Sequence, residues 1–414
     1  MKRSLWACAS VAAVLAIAAC GSSSSSTTTS SSSSSSKSTA STSKAPIQVL
    51  SIGDTSGATK IYGQLHYAGL LAAAAYLNAH GGINGRKVVI THLDSGGITA
   101  NSVSLAIKAL APNPNGAKYA FVDAGVEGTE DDALIPIMKK YNQFAITLDD
   151  AGECAQVSNC PTEFVVKGNP ADPAHAAANF FKSKGLKKVG VLEESIAFTE
   201  GETPGIVAAL KADGITPSVV TFPATATDVT PEMSALKGDG VQGVFAEALG
   251  PPAGYTLAAR ASLGWSIPVV FDVAASSLDI TKLAPASEVK NAYLNVYDCQ
   301  NGAAPLSAGM KAMLANIPSQ YTAEASGQAC DITGNGWDGM MEFANAAKQA
   351  PSLTTSALVN AMLNLSPASQ SDPLYITSAK KCYSTSDHED ACEVPGDFTV
   401  IPVGPVSGEQ DHPL

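Results

Sequence analysis

"IQVLSIGDTSGATKIYGQLHYAGLLAAAAYLNAHGGINGRKVVITHLD" runs from Ile47 to Asp94. Its first six residues, Ile47 to Ile52, are mostly apolar and partly β-branched, and read as a strand. "YAGLLAAAAYLNA", Tyr67 to Ala79, is built from Ala and Leu, the strongest helix formers, and has the length of a helix. "KVVITHL", Lys87 to Leu93, returns to β-branched residues and reads as a second strand. Strand, helix and strand in succession form a βαβ unit, so the two strands should lie parallel with the helix across one face.

The alternation continues on the C-terminal side. "NSVSLAIKAL" (Asn101 to Leu110) and "DDALIPIMKKY" read as helices, "YAFVD" and "FAITL" as strands. After the Pro-rich "GNPADP" a second series begins. Helices are expected at "AHAAANFFKSK", "PGIVAALKA", "PEMSALKG" and "AGYTLAARASLG", and strands at "KVGVLE", "TPSVVTF", "VQGVFAE" and "IPVVFD". The expected fold class is α/β, with two doubly wound, Rossmann-like lobes of similar size. The 369 residues after Ala45 exceed what one hydrophobic core usually accommodates, which agrees with two lobes.

On the N-terminal side, Lys2 and Arg3 precede an apolar run from Leu5 to Ala19, the layout of a secretory signal peptide. The run is too short for a bilayer core, which needs about 20 residues. "IAAC" ends at Cys20 and resembles the lipobox of bacterial lipoproteins, which implies that Cys20 is lipidated and begins the mature chain. One acyl chain binds a membrane only marginally, so a durable anchor takes more than one. From Gly21 to Ala45 the composition is almost wholly Ser and Thr, too polar to fold, and is expected to act as a tether spanning about 25–30 Å.

Without Lys2 and Arg3 the chain carries 23 basic against 37 acidic side chains. Such a surface repels phosphate backbones, so no nucleic acid partner is expected. Cys8 leaves with the signal and Cys20 takes lipid, and the remaining six cysteines argue for disulfides in an exported protein. Pairing of sequence neighbours, Cys154 with Cys160, Cys299 with Cys330 and Cys382 with Cys392, closes short loops. No cysteine or histidine spacing suggests zinc. "DHED", Asp387 to Asp390, could hold a hard cation, but a solvated loop inside a disulfide is the stronger expectation, so no metal is expected.

The stretch from Gly53 to Asp94, above all "GGINGRK", resembles the opening of the branched-chain amino acid and amide binding proteins of ABC importers. "VLEESIAFTEG" and "GWDGMMEFANAAKQA" resemble later landmarks of that family. The resemblance implies a type I periplasmic binding protein, a leucine-binding-protein-like fold with three crossings between lobes and the ligand between them. It places the crossings near Val166 to Pro170, Tyr297 to Gly302 and Ser366 to Asp372. The first lobe is then 46–167 with 300–370, and the second 168–299 with 371–414.

Open α/β sheets bind ligands beyond the carboxyl ends of their strands, so the loops after strands are the candidates. In the first lobe these supply Ser56 and Tyr62, then Glu127, Gly128 and Thr129 at a helix start, where Thr129 and Asp132 suggest a near capping box. The next loop supplies Asp149, Asp150 and Ala151. The family pattern has hydroxyl or small residues where Glu127, Asp149 and Asp150 stand, and carboxylates there would repel a ligand carboxylate. Acids in a first helical turn can instead simply complement the macrodipole. The second lobe offers Phe198, Glu247 and Asp272, and Lys60 is the one cation expected in these loops.

The expected ligand is therefore a small polar molecule with an amine, an amide or several hydroxyls, with a plain branched-chain amino acid second. The implied partners are an ABC permease and ATPase, with membrane contact through the lipid alone, for a monomer on the outer face of the cytoplasmic membrane. No cofactor and no catalysis are expected. "GNGWDG", Gly334 to Gly339, fits a dinucleotide fingerprint but follows no convincing strand. Neither a nucleophile elbow nor a P-loop occurs. A ligand-sensing receptor on the same fold and a secreted hydrolase are the alternatives.

Overall fold

The structure is a computed structural model that describes residues 44–57, 60–125, 128–148, 153–168, 171–276, 278–322 and 330–412. Cys20, Glu127, Asp149, Asp150 and Ala151 lie outside these residues.

Two sheets organise the chain. The first has five parallel strands in the order β2-β1-β3-β4-β5, with β1 at Ile47–Gly53, β2 at Val88–Asp94, β3 at Phe121–Asp123, β4 at Ala145–Thr147 and β5 at Glu163–Val165. The second has six in the order β11-β10-β9-β8-β6-β7. Its strands are β6 (Lys188–Ser195), β7 (Thr216–Pro223), β8 (Gly243–Glu247), β9 (Val269–Phe271), β10 (Ala292–Tyr297) and β11 (Phe398–Pro402). All pair in parallel except β10 with β11, where the returning chain runs antiparallel.

Each sheet is covered on both faces, as parallel sheets require. In β1, Ile47 and Val49 face a core shared with α1 (Lys60–Ala79) and α10 (Cys330–Gln349), while Leu50 and Ile52 face α2 (Thr99–Leu110) and α3 (Gly128–Tyr141). In the second sheet Val244 and Ala246 point to one core and Phe245 to the other. Helix α1 begins seven residues before the expected Tyr67, which brings Tyr62 into its first turn.

The "GGINGRK" segment has a local explanation. Gly82 (φ 73°) donates its N–H to the Leu77 carbonyl at 2.8 Å and ends α1 in the left-handed region. Asn84 (φ 51°) and Gly85 (φ 79°) then form a tight turn closed by reciprocal bonds between Ile83 and Arg86 at 2.9 and 3.0 Å. "GNGWDG" lies inside α10 and is buried. Its glycines serve packing, because a Cβ on Gly336 would stand 2.1 Å from the His66 carbonyl oxygen of α1.

Two expectations are corrected. Tyr375, Ile376 and Tyr383 pack in the first-lobe core, so the chain does not return to the second lobe at Ser366 to Asp372. The return comes later, ahead of β11. "DHED" is not a solvated loop either, since His388, Glu389 and Asp390 are buried. His388 stacks on Phe164 with centroids 4.2 Å apart, and Asp390 pairs with the buried Lys381 at 3.3 Å.

Disulfides join Cys154 to Cys160, Cys299 to Cys330 and Cys382 to Cys392. The one cation-like grouping found among the described residues, Cys382, Asp390 and Cys392, is thereby accounted for, because its sulfurs are already bonded to each other. No helix of the described residues is long and apolar enough to cross a membrane.

Candidate ligand-binding site

Lys167 and Gly168, immediately after β5, form one wall of a pocket. Helix α5 (Ala197–Ala212) adds Phe198 and Glu202. The end of β9 adds Asp272 and the start of α8 (Val273–Ser276), the end of β10 adds Tyr297, and the returning chain adds Glu393. The pocket thus lies at strand carboxyl ends of the second sheet and against two chain passages between the sheets, where the fold places ligands.

The charges there are fixed by neighbours. Asp272 is 3% exposed, and its Oδ2 accepts the Ala274 N–H at 2.9 Å. Burial raises its pKa, while main-chain donors and the Lys167 ammonium oppose that rise. Glu393 accepts the Gly168 N–H at 3.1 Å and the Tyr297 hydroxyl at 3.2 Å. Burial pushes its pKa up to about 8 against the pull of Lys381 and Lys167. The Lys167 Nζ lies over the Phe198 ring, 5.6 Å from its centroid.

Of the sequence candidates, Phe198 and Asp272 meet in this pocket. Glu247 is buried at the end of β8 beneath it, where Oε2 accepts the Thr203 hydroxyl at 2.7 Å. Burial raises its pKa to about 9, with Asp272 and Glu193 adding to the rise. The Tyr62 hydroxyl approaches the second lobe at Gly250, where an added Cβ would be 3.9 Å from it.

Ser56 is exposed, and its hydroxyl is engaged with Asp94. Gly128 and Thr129 lie in the first turn of α3, Gly128 buried and Thr129 exposed, so Thr129 is inside the helix rather than before it. Glu130 is buried and accepts the Ser102 hydroxyl of α2, an inter-helix contact beyond any macrodipole effect.

Lys167, Glu202, Tyr297 and Glu393 were missed. Lys167 adds a cation to the Lys60 expected in the candidate loops, from a position just past the end of β5 on the passage between the sheets. Glu393 lies on the returning passage, and Glu202 lies a full turn into α5.

A second polar network was also missed. In the first lobe His92 Nε2 meets the Thr55 hydroxyl at 3.1 Å and Nδ1 the Ser51 hydroxyl at 3.2 Å. Ser51 donates to Asp123 Oδ2 at 2.8 Å, and His66 Nε2 meets Oδ1 at 2.7 Å. Burial lowers the His92 pKa. The order hydroxyl–imidazole–hydroxyl–carboxylate–imidazole is not a nucleophile–base–orienter array, because the carboxylate supports a different imidazole from the one on Ser51. Ser51 itself is buried.

A sequence profile described as "Periplasmic binding protein" matches residues 46–381. The chain belongs to the periplasmic binding protein family. Solved structures agree with this fold. A type 1 periplasmic binding protein from Bordetella pertussis Tohama I superposes with TM-score 0.72 at 18% identity, over 86% of this chain and 96% of that one. The branched-chain amino acid binding protein LivJ from Streptococcus pneumoniae, solved with isoleucine, gives 0.68 at 18% identity over 86% and 99%. The leucine binding protein LivK from Thermotoga maritima gives 0.65 at 15% identity over 82% and 96%. No curated protein matches the chain. At these identities the likeness is one of fold, type I, with two α/β lobes. Within this periplasmic binding protein, the pocket residues carry the argument about the ligand.

Proposed function

We propose that this protein captures a small polar solute between its two lobes and delivers it to an ABC permease and its ATPase, without transforming it. The observation that carries the reading is the composition of one pocket. Phe198 and Asp272 of the second lobe meet Lys167 and Glu393, which stand on chain passages between the lobes, so a solute held there would be sensitive to hinge motion. We take 46–167 with 300–383 as the first lobe and 168–299 with 398–402 as the second. A solute touching Tyr62 as well would favour the closed form, because a ligand shifts an equilibrium by its differential affinity for two states.

The LivJ and LivK relatives make an amino acid or amide a natural candidate. Three acids in the pocket against one lysine favour a solute carrying an amine, an amide or several hydroxyls. A purely anionic solute would have to be desolvated beside the buried Asp272, which is costly for unpaired charge. Cys20 would hold the protein to the membrane through lipid.

A solute panel scored by melting temperature tests this reading, since a ligand that binds the folded state alone stabilises it by mass action. Saturable shifts with the solute recovered unchanged are expected. Product formed in excess of protein would overturn the claim of capture without turnover.

A further inference from the structure

We propose that Lys167 is a built-in occupant of an ammonium subsite, so that it sets specificity by competing with a ligand amine for the Phe198 ring, Asp272 and Glu393. The proposal rests on reading this pocket as the ligand site, and adds what the site recognises.

The pocket around Lys167 offers a cation an aromatic face and acidic side chains. An aromatic face attracts cations through its quadrupole, most strongly when water is excluded. Phe198 presents that face at 5.6 Å. Two buried carboxyls, those of Asp272 and Glu393, line the same pocket as Lys167. Each is aimed by fixed donors, Asp272 by the Ala274 N–H, and Glu393 by the Gly168 N–H and the Tyr297 hydroxyl.

Lys167 is not a loose surface side chain. The carbonyl of the preceding Val166 accepts from Lys381 at 2.7 Å, and the N–H of the following Gly168 donates to Glu393. The backbone is therefore pinned on both sides, and the lysine is half-buried.

The competing reading makes Lys167 a grip for a ligand carboxylate. Such a carboxylate would stand next to the buried Asp272 in a partly dehydrated site, where like charges are costly. A ligand ammonium meets no such repulsion once the lysine swings out, because it inherits the same ring and carboxyls.

Chemical rescue of Lys167→Ala tests the proposal without knowledge of the natural solute. The severed group is equivalent to n-propylammonium. The variant should melt below the wild type, and n-propylammonium should restore its melting temperature saturably, with millimolar affinity as befits so small a ligand. n-Propanol and propionate should not, the wild type should be indifferent, and adding Asp272→Asn should abolish the rescue.

Lys167→Met, which keeps an apolar stem as long as lysine's and lacks only the amino group, repeats the test with the ammonium ion should the alanine variant fold poorly. Indifference of both variants to the ammonium probes would overturn the proposal, as would equal rescue by n-propanol or better rescue by propionate. Failure of rescue speaks against the subsite alone, whereas failure of the solute panel speaks against the transport reading alone.

Discussion

Lys381 Nζ lies 2.7 Å from the main-chain carbonyl oxygen of Val166, 215 residues earlier in the chain. The two residues join the returning segment to the first passage between the lobes, one position before Lys167. Lys381 is fully buried and also pairs with Asp390 at 3.3 Å, with Glu342 4.0 Å away. Burial alone would lower its pKa, but Asp390, Glu342 and Asp338 outweigh burial and raise it. The Tyr383 hydroxyl holds the next carbonyl back, that of Val165, at 3.1 Å.

Lys381→Met should therefore destabilise the protein by about 3–5 kcal/mol, because it strands buried carboxylates rather than removing a neutral contact. Urea unfolding with an unchanged slope would report that loss as a lower midpoint. A loss under about 1 kcal/mol would mean that the acids neutralise themselves once the lysine is gone.

Stability should fall with rising pH partly through Glu247. Its pKa is about 9 in the folded protein against an ordinary 4.5, so the folded state holds its proton more tightly. The stabilising contribution is fully present below about 4.5 and is lost as pH rises through about 9. Glu247→Gln should flatten this decline, so its melting temperature relative to wild type should climb steadily from pH 5 to pH 9. A constant difference across that range would show that Glu247 does not titrate there.

Phe198→Ala and Asp272→Asn should each weaken binding of the solute by about tenfold or more, since one removes a ring face and the other a buried charged partner. Ser56→Ala should change affinity little, because the Ser56 hydroxyl is already engaged with Asp94. Calorimetry on the three variants reads this directly. The reverse ranking would move the ligand to the first lobe.

Cys20→Ala should shift the protein from the membrane fraction to the soluble one. Unchanged retention in the membrane fraction would remove the argument from the "IAAC" segment.

The fold was legible where the physics is local. Strand and helix periods, the Ala-rich α1 and the "GGINGRK" turn all depend on neighbours within a few residues. The three disulfides followed because each closes a short sequence interval. Asp272 was within reach because it follows a strand end, where such sheets bind ligands, and Phe198 because the family resemblance pointed to its position. Lys167 and Glu393 were not, because they are brought together by a hydrogen bond between Gly168 and Glu393 that spans 225 residues. The burial of His388 and Asp390 escaped for the same reason, since their partners Phe164 and Lys381 come from packing and give a charged run no local signature.

Mass spectrometry of small molecules released from protein purified without denaturation tests most directly whether this pocket captures a polar solute. One compound bearing an amine, an amide or several hydroxyls, in near-stoichiometric amount and bound again by wild type but poorly by Asp272→Asn, is the expected result. A tightly held dicarboxylate or other purely anionic compound, bound without a metal ion and equally well by Asp272→Asn, would contradict it.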